Sequence, residues 1–414
     1  MPPIKKKHQA AVVATAAAAA AAAASASSMS ARAVGVSHDI LTGVFSIGGA
    51  SPLSCVLAEY LDMKDIGRLD TAVCNNFLRP LYLDAMRHLT RSAIVVDSIE
   101  FTVWILLRGI KTKELKFYYL LGEKKLNNIL VMMNQASYGF RESILELTVI
   151  EEGDYAIFNP FLLKCKNLEH LYFNANKMSL NYFKTVLPVF KKLKNLGMLN
   201  LNVDTENFDS SCVKFLSNNC AALQNLGLQN SRPDLLDDSA LLSITNGLSS
   251  LTSLGLCNHD NERSYVFSEA ALTSLKGLKM LKHLYLESID NLTTPLLMEI
   301  CHGCDKIVKL CLMNMSGLSN LSFESLGRLV HLYLENVPSI DATIQSIATH
   351  CSKLETLTLI KLTEITDIAI DYLANGVCQS LKMLDLTGCT RIKTLPQRVN
   401  NGSIKTVKKF VVEG

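Results

Sequence analysis

Residues 351–373 read CSKLETLTLIKLTEITDIAIDYL, and the fold follows from how that stretch is parsed. Cys351 stands three residues before Leu354-x-x-Leu357-x-Leu359. The last two leucines are two apart, so they share one side of a short extended strand while Thr356 and Thr358 face the other. Ile365-Thr366-Asp367 then opens a segment of helical spacing, with Asp367 placed as its N-terminal cap. A single strand–turn–helix unit cannot bury so apolar a face alone. The stretch therefore predicts similar units on either side.

The same spacing recurs at Leu168/Leu171/Phe173, Leu196/Leu199/Leu201, Leu223/Leu226/Leu228 and Leu251/Leu254/Leu256. It continues at Leu281/Leu284/Leu286, Ile307/Leu310/Leu312, Leu329/Leu332/Leu334 and Leu381/Leu384/Leu386, with weaker copies at Ile144/Leu147/Val149 and Val407/Phe410/Val412. First positions between 168 and 381 lie 22 to 30 residues apart, the range of leucine-rich repeats. Stacked in parallel, such units predict an α/β, right-handed leucine-rich-repeat solenoid, with strands on a concave face and helices outside. The solenoid is expected over residues 143–414. Its last strand, at residues 407–412, would leave an apolar edge blunted by Lys405, Lys408 and Lys409, or covered by a partner.

Twelve cysteines raise the question of a disulfide framework. Cys165, Cys220, Cys304, Cys351 and Cys378 each stand three residues before the first apolar position of a repeat. Stacking turns them into a buried row of free thiols packing as small hydrophobes, with Cys389 in the turn after its strand. That predicts a reducing compartment, cytoplasmic or nuclear. Cys301-x-x-Cys304 lacks a second pair at zinc spacing, so no metal is expected. The net charge of +3 argues against a whole-surface nucleic-acid binder, and the uncharged Ala/Ser run near the start is too weakly apolar to hold a bilayer. Residues 1–47 read as a low-complexity, disordered, alanine-rich extension rather than a targeting peptide.

Residues 51–83 read SPLSCVLAEYLDMKDIGRLDTAVCNNFLRPLYL. Leu53, Val56, Leu57, Tyr60 and Leu61 recur at helical spacing, and Ile66, Leu69, Val73 and Phe77 give a second apolar face. A small helical unit over 48–92 follows. Pro52-Leu53, Tyr60-Leu61-Asp62, Lys64-Asp65-Ile66, Val73-Cys74 and Phe77 together resemble an F-box. The repeats resemble the cysteine-containing class of leucine-rich repeat. The pairing is similar to that of F-box/leucine-rich-repeat substrate receptors of SCF-type cullin–RING ubiquitin ligases. The resemblance implies contact with a Skp-type adaptor, and through it a cullin, made by Pro52, Leu53, Leu57, Leu61, Ile66, Leu69, Val73 and Phe77. Ser54-Cys55 and Phe77 depart from the acidic residue and tryptophan usual there. The alternative is a repeat scaffold whose F-box-like helices serve only as a cap, burying that face against Trp104. Residues 93–142 read as a linker helix, carrying Trp104, that passes into the solenoid's N-terminal cap, with Leu115-x-Phe117 as an irregular first strand.

No glycine-rich phosphate loop, nucleophile elbow or pair of carboxylates at catalytic spacing is present, so no enzyme chemistry and no cofactor are expected. Function is placed instead on the outward strand positions. These read His170/Tyr172/Asn174, Met198/Asn200/Asn202, Asn225/Gly227/Gln229, Ser253/Gly255/Cys257 and His283/Tyr285/Glu287. Lys309/Cys311/Met313, His331/Tyr333/Glu335, Thr356/Thr358/Ile360 and Met383/Asp385/Thr387 follow. His170, Tyr172, His283, Tyr285, Glu287, His331, Tyr333, Glu335 and Asp385 form the expected strip for a neutral-to-basic protein or peptide segment, with a shallow gap at Gly227 and Gly255.

Overall fold

The computed structural model describes residues 66, 70, 78–96, 98–117, 123–135, 138–149, 158–174, 180–199, 210–229, 236–258, 264–394 and 406–408. The alanine-rich extension and most of the F-box-like segment lie outside these residues. The chain divides into two compact units, residues 1–151 with 160–168, and residues 152–159 with 169–414.

In the first unit the helix Leu78–His88 precedes β1 (Thr90–Val96), the helix Ile99–Arg108 and β2 (Lys111–Phe117). Two helices, Glu123–Gln135 and Tyr138–Ser143, then lead to β3 (Glu146–Val149). β1, β2 and β3 pair in parallel, with Ile94 beside Leu115 beside Leu147, and Val96 beside Phe117 beside Val149. Residues 93–142 are therefore built as strand–helix units. The expected linker is itself repetitive. The helix Ile99–Arg108 is bounded as its sequence demands: Ser98 Oγ accepts from the Phe101 amide at 3.1 Å, and Gly109 closes it at φ 68°.

The second unit stacks β4 (His170–Asn174), β5 (Asn195–Leu199), β6 (Asn225–Gln229), β7 (Ser253–Cys257) and β8 (His283–Glu287). β9 (Lys309–Met313), β10 (His331–Glu335), β11 (Thr356–Ile360), β12 (Met383–Asp385) and β13 (Thr406–Lys408) follow. Each pairs in parallel with the next. α-Helices such as Asp238–Gly247, Thr294–Gly303 and Asp341–His350 link successive strands from β4 to β9 and from β10 to β12, while between β9 and β10 the described residues form a 3₁₀ turn at Glu324–Leu326. That substitution accounts for the shortest repeat, 22 residues from Ile307 to Leu329. This is a leucine-rich-repeat solenoid. Leu254, Leu284, Leu310, Leu332, Leu357 and Leu384 form one fully buried column, and Leu256, Leu286, Leu312, Leu334, Leu359 and Leu386 the next.

Register from β4 to β12 is set by a hydrogen-bond pattern that each of these repeats makes. The carbonyl after the first apolar residue takes two amides from the next repeat. Glu169 O receives Lys194 and Asn195, Lys194 O receives Gln224 and Asn225, and Thr252 O receives Lys282 and His283. The series runs on to Glu355 O, which receives Lys382 and Met383. It corrects the second repeat. Leu196, expected as a first position, lies beside Leu171 and Leu226, so the frame is Leu193-x-x-Leu196-x-Met198. The outward residues of β5 are Asn195 and Gly197 rather than Met198 and Asn200. The same slip of three occurs at the end, where Val407 lies beside Leu384 instead of Leu381. The last α-helix among the described residues, Asp367–Asn375, is capped one residue earlier than expected, by Thr366, whose Oγ1 accepts from the Ile368 amide. Asp367 instead reaches forward and accepts the Lys393 and Thr394 amides.

Cys165, Cys220, Cys304, Cys351 and Cys378 are all buried free thiols. Cys378 Sγ donates to Cys351 O at 3.3 Å, and Cys304 Sγ donates to Leu275 O at 3.3 Å, so a thiol there satisfies a carbonyl of the preceding repeat. Burial pushes the Cys351 thiol up to about 12 and that of Cys378 to about 11. These are packing residues. After β8 to β12 the chain turns through a left-handed residue, Ser288, Asn314, Asn336, Lys361 and finally Gly388, at φ between 49° and 75°. Asparagine and glycine tolerate that conformation best.

Candidate functional site

Between the leucine columns, the outward side chains of β4 to β12 form a ladder of their own. Its central column runs Tyr172, Gly197, Gly227, Gly255, Tyr285, Cys311, Tyr333, Thr358 and Asp385, each beside the next. Three consecutive glycines thus sit between two tyrosines. A Cβ built on Gly197 would come within 2.5 Å of Tyr172 Cδ1, so the Tyr172 ring lies over that glycine. Gly227 and Gly255 carry no such cover: the nearest atoms to a Cβ there are at 3.9 Å and 3.7 Å, both glycine Cα. The gap expected from sequence is therefore a backbone-floored trough at β6 and β7, in which Gly227 is half-buried and Gly255 buried.

The column beside it begins with a polar ladder. Asn195 Nδ2 donates to His170 Nδ1, Asn225 Nδ2 donates to Asn195 Oδ1, and Thr252 Oγ1 donates to Asn225 Oδ1 at 3.4 Å. His170 is thereby engaged with its neighbours in the sheet. Further along, this column becomes His283, Lys309 and His331 on adjacent strands. Lys309 Nζ lies 5.1 Å from the centre of the Tyr285 ring, a cation–π distance. Sequence reasoning passed over Lys309 because its repeat lacks the His–Tyr pattern. Its position between two histidine-bearing strands was nonetheless readable from the repeat frame.

The acids are less available than expected. Glu287 is only 3% exposed and accepts from Asn314 Nδ2 at 3.2 Å, so the structure removes it from the open face. Glu335 accepts the Tyr333 hydroxyl at 2.5 Å and pairs with Lys361 at 3.1 Å. Partial burial alone would raise the Glu335 carboxyl, but the Tyr333 and Lys361 hydrogen bonds hold it below its ordinary value. Burial, then the bond to Glu335, pushes the Tyr333 hydroxyl well up. Asp385 accepts from the Thr387 amide at 3.1 Å and from its hydroxyl at 2.6 Å. Cys311, between the two tyrosine strands, is 6% exposed and its thiol is pushed up to about 12 by burial, which removes it as a nucleophile. Among the described residues no group of three or more His, Cys, Asp or Glu converges to hold a metal ion. No helix among them is long and apolar enough to cross a membrane.

Of the residues expected to contact an adaptor, Pro52, Leu53, Leu57, Leu61, Leu69, Val73 and Phe77 lie outside the described residues. Ile66 is described: it is helical and fully buried, and its carbonyl accepts from the Tyr82 hydroxyl at 3.2 Å. Asp70, one turn on, is a hub the sequence did not disclose. Its carboxylate accepts from Trp104 Nε1 at 2.9 Å and from Arg108 Nη2 at 3.0 Å, and pairs with Arg79 at 2.8 Å. Burial alone would raise the Asp70 carboxyl, but the Arg108 and Trp104 hydrogen bonds and the two guanidinium charges hold it low.

No family model and no curated protein matches the sequence. By structure the chain is similar to one in the yeast Rad7–Elc1 complex, with a TM-score of 0.52 over 89% of this chain and 92% of that one, at 15% identity. It is also similar to an internalin, InlF of Listeria monocytogenes, with a TM-score of 0.46 over 89% of this chain and 96% of that one, at 14% identity. At that identity the Rad7 likeness is one of fold, and it agrees with the repeat architecture built above.

Proposed function

We propose that the chain is a non-catalytic protein-binding adaptor, a substrate receptor of an SCF-type ubiquitin ligase that holds a protein segment on the open strand face of its repeats. The observation that carries the reading is the contrast within one ladder. The leucine columns repeat nearly unchanged, whereas the outward column varies from strand to strand: Tyr172, three glycines, then Tyr285, Cys311 and Tyr333, with Lys309 on the strand between the last two tyrosines. Half-buried tyrosines beside a cation, as Tyr285 and Tyr333 are here, are suited to anchor a protein partner. Such a receptor works by proximity: it raises the local concentration of a substrate lysine near the ligase and needs no reacting group of its own. The ligase part of the proposal rests on the F-box-like residues 52–77, and is supported by the fold shared with a chain from the Rad7–Elc1 complex, itself a two-protein assembly.

A second reading is favoured by a specific observation. Ile66 is buried, and Asp70 is tied to Trp104 and Arg108 of the helix Ile99–Arg108, as a structural cap would be. The two readings part at Leu57 and Leu61. A pull-down of the full chain with a purified Skp-type adaptor, beside a Leu57→Asp, Leu61→Asp double variant, separates them. Binding by the parent chain that is lost in a folded double variant supports the receptor. No binding by the folded parent leaves a repeat scaffold whose helices are a cap.

A further inference from the structure

We propose that the row His283, Lys309 and His331 receives aspartate or glutamate side chains of a protein partner laid across β8 to β10. The inference deepens the binding-face reading by naming the chemistry of the segment, and it reverses the neutral-to-basic preference that the sequence suggested. The three side chains stand on consecutive strands in register, about 4.8 Å apart, so three basic groups fall within roughly 10 Å.

The nearby acids have other partners. Glu335 is paired with Lys361, Glu355 is paired with Lys382 at 2.7 Å while also lying in the field of His331, Asp385 is bonded by Thr387, and Glu287 is buried against Asn314. Among the described residues none of these carboxylates pairs with Lys309, whose contact is the Tyr285 ring. Partial burial holds the His283 imidazole below the ordinary value, and the charges of Lys309, Lys282 and His331 lower it further. An acidic segment laid there would offset that repulsion, while Tyr285 and Tyr333 supply apolar body on either side of Cys311. Close complementary charge at an interface selects the partner as well as speeding encounter.

The test uses the full chain as bait for a phage-displayed random-peptide library, followed by binding of the enriched peptides to variants. The expected result is enrichment of peptides with net negative charge, whose affinity falls at least about tenfold with Lys309→Glu. His331→Glu serves as a second variant, since His331 is exposed and its substitution leaves the leucine columns intact. A thermal melt of each variant confirms folding. Acidic peptides indifferent to both substitutions would overturn the proposal. Neutral or basic peptides that require Tyr285 and Tyr333 would also overturn it, yet would leave this face as the protein-binding surface. Failure to select any peptide that depends on these residues would overturn both readings.

Discussion

Strands β5–β7 and β8–β10 share a backbone, a register and a set of buried leucines, yet present opposite surfaces. The first three offer Gly197, Gly227 and Gly255 beside an amide ladder. The next three offer Tyr285, Cys311 and Tyr333 beside His283, Lys309 and His331. The difference teaches how this architecture divides its labour. Residues under the sheet are set by stacking, since each must fit the same residue of the repeat before and after. Residues over the sheet touch only their ladder neighbours and are free to change from one repeat to the next.

The division is broken most forcefully from below. Leu226→Ala and Leu284→Ala should cost about the same, roughly 2–5 kcal/mol each, because both delete a fully enclosed side chain from one column. Urea titration of the two variants checks this, and a large inequality would mean that the regions differ beneath the sheet as well.

Above the sheet the effects shrink. Tyr333→Phe removes the hydroxyl that Glu335 accepts and should cost about 1 kcal/mol at neutral pH. Because the folded Glu335 carboxyl is held below its ordinary value, its stabilisation is complete above the unfolded value of about 4.3 and is lost as pH falls through the folded one. The Tyr333→Phe chain should therefore lose less stability on acidification than the parent, read from melts at pH 7 and in the acid range. The trough gives the smallest contrast. Gly197→Ala must displace the Tyr172 ring and should destabilise by roughly 1 kcal/mol, whereas a Cβ at Gly227 meets only the Gly197 Cα at an ordinary 3.9 Å, so Gly227→Ala should stay within about 0.5 kcal/mol of the parent. Equal melting temperatures would show that Tyr172 does not rest on Gly197.

Much of this was legible in the residues. The spacing of leucines gave the repeat and its strands, and the cysteines fell where a buried row requires them. The His–Tyr strands lie where the repeat frame puts them. The second repeat was misread because LKNLGMLNL, residues 193–201, satisfies the template in two frames three residues apart. Only the paired amides of Lys194 and Asn195 on Glu169 O select one. β1 escaped notice because Arg91 occupies its first apolar position, and β2 was legible only as an irregular strand at Leu115-x-Phe117 because Thr112 occupies the first apolar position there. Thr112 is nonetheless fully buried, with its amide donating to Ser143 Oγ and its hydroxyl to Glu114 O. Glu287 and Glu335 repeat the same local sequence, so no pattern could show that one is buried and the other paired at the surface. Asp70 joins residues far along the chain, a contact that periodicity does not encode.

The central claim is that β8–β10 form the partner-binding face. It is tested most directly by quantitative affinity mass spectrometry of the full chain beside a Tyr285→Ala, Lys309→Glu, Tyr333→Ala variant. A Gln345→Glu variant serves as control, since Gln345 is exposed on the helix Asp341–His350, away from the strands. The account predicts a defined set of proteins retained by the parent and by the control and lost from the strand-face variant. The same set on all three chains, with all three folded, would contradict it.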